Sequence, residues 1–477
     1  MRKTTIIEPI LFGFMFCRYM LLDTEDQLIY MKTCLRAFNT SFCDAIYQNG
    51  TAFKAEQSEL QNESAKWKVY LSIVRTIPPV IMTIIYSSWS DYVGRKNVIV
   101  LPVIGSSISA MSFILNSQYI QSPVYYILVG ELFAAPFGNF VAMISATFCY
   151  AADITPISFR TQRTVILESM IYIAGAIGHF SGGQILYNFG FQYVYGLTLF
   201  IDILQIIYWM FIEESYESTV QQKKKSLLEM FTLETFTKVF KFLSKSRDGN
   251  RRSIIWTLFV CFSFSSLYFM TLNSATILYL LHTPFQFLPT QIGYFLGGTL
   301  LLKFLGSLFI NLVFVHCLKM RDFYVMLISF TTYTGLFISM AAAKNDWQIY
   351  SAGAWSFGVG VAIAVIRGKL SKIAAFDEQG RLFSLISSVE VLVSLFSGVT
   401  ITSIYKATVD IEPAFVFYLV GASSILPFCL TLYLIKLENE DRKREDCCPA
   451  AFEGTPLLKS QTFNKESNDD YSSTDNL

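Results

Sequence analysis

The residue with the most chemical promise is Glu168, which lies in an apolar stretch, 164–186, long enough to cross a bilayer. An ionised carboxylate is costly in hydrocarbon, so an acid placed there faces a protein interior or a wet path and marks a route for ions or solutes. Taking up and releasing a proton switches such a group between charged and neutral forms, and that switch can be tied to helix movement. The plainer reading is a glutamate satisfied by an interhelical hydrogen bond. Lys303 and Glu390 are further charges flanked by apolar residues. They can pair with each other, or Lys303 can meet an anionic group of a substrate. Arg367 stands near the end of its apolar stretch, where it either takes part in that chemistry or extends toward the membrane surface. Glu131 and Asp202 are lone acids in other apolar stretches and weaker candidates.

Other chemistries lack their residues. The three histidines (His179, His282, His316) and nine cysteines show no metal-ligand spacing, and the signatures of serine hydrolases, zinc proteases and phosphate loops are absent. No metal, no cofactor and no enzymatic activity are expected. His179 reads as a packed residue. It adjoins Gly178-xxx-Gly182, which with Gly293-xxx-Gly297 offers surfaces for close helix contact.

The elements that hold these residues follow from composition. Hydrophobic residues make up 53% of the 477 and charged residues 15%, with a mean hydropathy of +0.44, whereas a soluble chain carries about a quarter charged residues. A net charge of +1 gives no case for nucleic-acid binding. Apolar segments recur near 6–30, 69–89, 97–116, 124–150, 164–186, 191–212, 253–281, 292–317, 323–343, 347–366, 382–405 and 414–436. The first is interrupted by Glu8 and Arg18. That break, with no clean small-residue cleavage site after it, argues against a signal peptide. The expectation is an all-α membrane protein of 12 transmembrane helices, with six-helix bundles over 1–212 and 253–437, a cytosolic loop over 213–252 and a disordered cytosolic tail over 438–477.

Basic residues gather in alternate loops, at Arg2/Lys3, Arg95/Lys96, Arg160/Arg163, Lys223 to Arg252, Lys369/Lys372 and Arg442 to Arg444, which puts both termini in the cytosol. The first outer loop, about 31–66, carries glycosylation sequons at Asn39, Asn49 and Asn62. Cys34 and Cys43 share that loop, where a disulfide is permitted but spacing alone does not fix it. In the central loop Leu228, Phe231, Phe236, Val239, Phe240 and Leu243 recur at helical spacing, which suggests an amphipathic helix on the membrane surface; a flexible linker is the alternative.

Ser90-Asp91-Tyr92-Val93-Gly94-Arg95-Lys96 resembles the GxxxDxxGRK signature of the major facilitator superfamily, with Ser87 in place of the leading glycine. The resemblance implies two bundles rocking about a midplane site, gated by Asp91, Gly94, Arg95 and Lys96. Glu8-Pro9, Arg163-Thr-Val-Ile-Leu-Glu168, Ile366-Arg367-Gly-Lys369-Leu-Ser371-Lys372, Glu378-Gln379-Gly380-Arg-Leu-Phe383 and Ile404-Tyr405-Lys-Ala407-Thr408 are similar to solute carrier family 46, which transports folates or, in its lysosomal branch, steroid conjugates and bile acids. That resemblance implies Glu168 as the proton-coupling acid and Arg367 in substrate handling and proton coupling; Lys303 and Glu390 are further candidates for substrate or coupling roles, read from their apolar flanks. No histidine appears between Ile254 and Leu281 or between Ile292 and Val315, where the folate branch carries them, so the lysosomal branch fits better.

The expected activity is proton-coupled symport of organic anions or amphipathic conjugates from lysosome to cytosol. A plasma-membrane folate-like transporter and a ligand-sensing transceptor are the alternatives. Expected partners are a small organic substrate, protons and the lipid membrane, in a monomer or loose homodimer. Glu453-Gly-Thr-Pro-Leu457-Leu458 has the acidic dileucine form that clathrin adaptors read, and Cys447-Cys448 is open to palmitoylation.

Overall fold

The computed structural model describes residues 6–39, 41–43, 54–215 and 227–447, apart from 246, 248, 274, 282–284, 286, 288 and 410. Twelve long helical segments dominate: α1 (Glu8–Ala37), α2 (Lys54–Val93), α3 (Arg95–Gln118), α4 (Tyr125–Ile154), α5 (Arg160–Phe189), α6 (Phe191–Met210), α7 (Arg251–Asn273), α8 (Pro289–Ile310), α9 (Asp322–Ala341), α10 (Asp346–Ile373), α11 (Gln379–Thr408) and α12 (Phe415–Arg444). Eleven of the described helices are long and apolar enough to cross a membrane. The exception is α1, whose Arg18, Asp23, Glu25, Asp26 and Lys32 dilute its hydropathy. It nevertheless packs along the whole of α5 and against α2 and α6, inside the N-terminal half.

Backbone polarity inside a bilayer must be satisfied within each helix, so breaks in these helices need local compensation. The turn between α2 and α3 shows how. Gly94 adopts φ +96°, and a Cβ there would stand 2.1 Å from Glu214 Oε2. Only glycine fits. The freed backbone N–H groups of Arg95 and Lys96 donate to Glu214 at 2.7 and 3.2 Å, a carboxylate cap on the start of α3. At the opposite end of α3 the buried Lys32 ammonium of α1 donates to the carbonyls of Asn116 and Tyr119 and to Ser122 Oγ.

The two halves meet where α5 packs on α8 and α10, and where α11 packs on α2 and α4. One end of the molecule carries Arg95, Arg160, Lys372 and Gln379 and is called the basic end below. The cross-half polar contacts gather there: Arg160 Nη1 donates to the Ser371 carbonyl at 2.7 Å, Thr161 Oγ1 to Asp322 at 3.3 Å, and Thr164 Oγ1 to the Ala364 carbonyl at 3.0 Å. The halves are therefore closed together at the basic end. At the other end Cys34 and Cys43 form a disulfide, with Cα atoms 5.9 Å apart.

Several expectations are corrected. The loop expected over 31–66 is shorter, because α1 continues to Ala37 and α2 begins at Lys54, both extending beyond the apolar core. Asn39 is exposed, while Asn49 and the side chain of Asn62 lie outside the described residues. The tail does not lose structure at Glu438: helix persists to Cys447, with Lys369 paired to Glu438 and Asn250 N donating to Asp441 at 3.1 Å. Cys448, Glu453, Leu457 and Leu458 lie outside the described residues. Gly178 and Gly182 do seat α5 on the α1 backbone, where added Cβ atoms would stand 2.8 and 2.6 Å from the Phe16 and Met20 carbonyls; Gly293 and Gly297 meet nothing within 4 Å and are not contact sites.

The central loop does contain an amphipathic helix, Leu233–Ser244, capped by Thr232. Part of its apolar face packs on protein, while Leu233 at its start is exposed. Val239 and Phe242 are buried against protein, and the helix touches the basic ends of both α2 and α11. Lys245 and Arg247 then pair with the buried Glu378. Burial alone would raise the Glu378 pKa, but the hydrogen bonds from Lys245 and Arg247 outweigh it and hold the carboxyl below its usual range. A depressed acid contributes stability above its unfolded pKa and loses it only as pH falls through the lower folded value, so the clamp persists throughout the neutral range. Glu378→Gln removes the charge-assisted bonds, and trypsin cleavage at Lys241 and Lys245 should then quicken about tenfold. Unchanged cleavage would show that the helix is held by its apolar face alone.

Candidate functional site

Three expected site residues converge in one cluster. Arg367 of α10 is 1% exposed and donates from Nη1 to Glu168 of α5 and from Nη2 to Glu390 of α11. The first bond crosses between the halves; the second stays within the C-terminal half. Phe148 and Phe262 place ring centroids 4.7 and 5.5 Å from the guanidinium carbon, covering it on the remaining sides. Arg367 does not reach for the membrane surface. The Tyr172 hydroxyl donates to the Gly360 carbonyl at 3.0 Å and lies 3.3 Å from Glu168 Oε1, a second tie between α5 and α10. Ser169 and Ser307 hydroxyls, 2.6 Å apart, join α5 to α8 at the same level.

Of the two arrangements open to Lys303 and Glu390, the ion pair between them is not formed. Arg367 occupies Glu390, because α10 and α11 are neighbours and the fork of a guanidinium can serve two carboxylates at once. Lys303, 2% exposed, has no carboxylate partner among the described residues, and its ammonium faces the Phe269 ring with 4.9 Å to the centroid. A buried ammonium with only an aromatic face for company is available to a bound anion.

The residues expected to form the gate lie where the halves close. Arg95, also 1% exposed, pairs with Asp91 at 2.8 Å and with Asp153 of α4 at 3.1 Å and bonds Ser90. Its Nη1 approaches to 2.9 Å of where a Gly380 Cβ would stand, so the first turn of α11 rests on this cluster. Lys96 donates to the Met210 carbonyl at 3.1 Å and packs on Trp209. The segment around Arg367 closes the other side: Lys372 pairs with Asp322 at 2.9 Å, and Gln379 Nε2 donates to the Ser371 and Ala374 carbonyls at 3.0 and 3.1 Å. Glu8 and Arg163, read from the sequence as separate matches, are one ion pair at 2.8 Å between α1 and α5.

Three residues escaped the sequence reading. Asp153 is the hidden partner of Arg95, and Arg75 with Glu25 joins Glu131 in a second buried cluster. Arg75 stands in an apolar stretch as conspicuously as Lys303 does, and that was the signal available. Asp202 is fully buried beside Gln205, and His179 stacks edge-on with Tyr19, centroids 5.2 Å apart, as a packed residue. Among the described residues no group of three or more histidine, cysteine or acidic side chains has metal-site geometry.

Comparison with known proteins agrees with this architecture. The Major Facilitator Superfamily profile matches residues 41–445. The lysosomal proton-coupled steroid conjugate and bile acid symporter of Gallus gallus is 25% identical over 91% of this chain and 95% of its own length. The proton-coupled folate transporter of Rattus norvegicus is 26% identical over 80% and 81%. The crystal structure of the human organic anion transporter MFSD10 superposes with a TM-score of 0.69 at 14% identity, covering 90% of this chain and 100% of that one. The transporter FucP in its outward conformation gives 0.59 at 14% identity, covering 90% and 99%. With that profile spanning most of its length, this chain belongs to the major facilitator superfamily, a family of multi-pass membrane transporters rather than enzymes.

Proposed function

We propose that this protein is a proton-coupled symporter that carries organic anions or amphipathic conjugates, such as steroid conjugates and bile acids, from the lysosomal lumen to the cytosol. The observation that carries the reading is one buried guanidinium shared by two carboxylates on opposite halves. That cluster bears a net negative charge, which low-dielectric surroundings penalise. A proton on Glu168 neutralises it and releases the only one of its two ion pairs that spans the halves. The basic end, which faces the cytosol, can then open. Loss of the proton to the cytosol re-forms the pair with Arg367 and closes that end again, so the proton moves with the cycle and not independently of it.

Substrate chemistry follows from Lys303, whose buried charge suits an anionic group, while the aromatic surroundings suit a rigid apolar body. Two pH units across the lysosomal membrane supply about 2.7 kcal/mol per proton, enough for roughly a hundredfold accumulation. The similarity to the lysosomal symporter and the absent histidines favour that compartment over a plasma-membrane folate-like role. The dileucine tail would deliver the protein there through clathrin adaptors.

Purified protein in proteoliposomes provides the test. Taurocholate or estrone sulfate uptake should saturate and should rise severalfold when the side of entry is acidified, and a protonophore should abolish the rise. A ligand-sensing transceptor would bind these anions without net flux, which would overturn the reading.

A further inference from the structure

The N-terminal half contains a second charged cluster that the mechanism above does not use. Arg75 of α2 donates from Nε and Nη2 to both Glu131 oxygens at 2.8 Å, from Nη2 to Glu25 Oε1 at 2.9 Å, and from Nη1 to Glu25 Oε2. Ser109 adds a hydroxyl to Glu131. One guanidinium therefore serves both carboxylates. Arg18, on α1 with Glu25, is placed differently. Its nearest carboxylate oxygen, Glu25 Oε2, is 4.0 Å away, and it makes no hydrogen bond among the described residues. It supplies charge balance to the cluster while its donors remain unspent.

Arg18 is also the accessible member, with 25% of its side chain exposed against 10% for Arg75. Ten residues into α1 it stands about 15 Å along the helix from Glu8, a depth at which accessible surface meets lipid or an aqueous cleft. A charged side chain at that depth turns to the protein interior or a wet cleft and not to lipid. Arg18 lines a small pocket of about 30 Å³, room for roughly two waters, in which Glu25, Arg75, Ser109 and Glu131 stand beside the apolar Phe14 and Leu21. Its neighbour Tyr19 reaches the seam between the halves, where its ring and Leu300 of α8 both border Gly175. Leu300 is one helical turn from Lys303.

We propose that Arg18 is an anion-binding residue of the N-terminal half, its open guanidinium edge kept for the carboxylate, sulfate or sulfonate of a substrate. Glu25 orients it, and Arg75 is the positioning residue that keeps Glu25 from collapsing onto it. The assignment rests on the anion-transport reading given above, and it adds a cation in the half that does not contain Lys303.

The test is taurocholate transport in proteoliposomes, with methyl cholate as an uncharged competitor. Arg18→Gln should raise the taurocholate KM about tenfold or more while changing kcat less, the effect of losing charge-assisted hydrogen bonds. Arg18→Lys should restore most of the affinity, and methyl cholate should compete equally well in wild type and variant. The double variant Arg18→Gln/Glu25→Gln keeps the cluster neutral, so it folds even if the single variant does not, and it should keep the defect. Recovery of taurocholate affinity in the double variant would reduce Arg18 to charge balance and overturn the assignment, as would an unchanged KM in the single variant. A wild-type protein that moves no anion at all would overturn the transport reading and this assignment with it.

Discussion

Uptake by the Glu168→Gln variant is expected to be indifferent to pH, with rates at acidic and neutral entry sides equal within about twofold where the native protein should show a severalfold rise. Glutamine keeps the shape of the side chain and can still receive the Tyr172 hydroxyl, but it cannot exchange a proton. The variant leaves Arg367 paired with Glu390 alone, a neutral arrangement, so it should fold. Arg367→Ala is the contrasting case: it leaves two buried carboxylates facing each other without a cation, a loss of about 3–5 kcal/mol, and should express poorly. The Glu168 variant also loses the ion pair across the halves. Cys149 is buried at the basic end beside Arg95 and Gly380, and its reaction with a membrane-impermeant maleimide from that side should accelerate. Retained acid stimulation would remove Glu168 from the coupling mechanism whatever the labelling shows.

Gly368→Val should cut transport at least tenfold without harming either half as a folded unit. A Cβ at Gly368 would stand 2.6 Å from Thr161 Cα and 2.7 Å from Thr164 Oγ1, across the seam between α10 and α5. The first neighbour is backbone and cannot turn aside. Overpacking of this kind costs about 1–3 kcal/mol when it must be absorbed, and the easiest relief is to hold the basic end open. Cys149 should then label rapidly in the absence of substrate. Gly298→Ala, where a Cβ meets nothing within 4 Å, is the matched control and should transport normally. Normal transport by the Gly368 variant would mean that the closed arrangement at α5 and α10 is not visited during the cycle.

The two predictions also show what the sequence could and could not disclose. Glu168, Arg367 and Glu390 were legible one at a time, because a charge in an apolar run stands out against its neighbours. Their meeting was not legible, because it depends on which faces of α5, α10 and α11 turn inward, and a helix that is apolar nearly all round carries little periodic signal. The Lys303–Glu390 pairing failed for that reason: both are deep charges of the same half, but Arg367 lies on the helix adjacent to Glu390. Asp91 and Arg95 were found through their signature, whereas Asp153 was overlooked at the end of a span where an acid resembles a loop residue. Arg75, Glu25 and Glu131 lie on three helices brought together only by bundle packing. The loop helix is legible from its periodicity, but an apolar stripe does not say whether lipid or protein covers it, and here protein covers Val239 and Phe242.

That helix has one more consequence. Leu233–Ser244 rests on α2 of one half and α11 of the other, and its continuation grips Glu378. When the basic end opens, α2 and α11 part company, and the connecting segment must let go of one of them. On the transport cycle proposed above it would act as a latch across that end, and a stretch of chain remote from the Arg367 cluster would set part of the turnover rate.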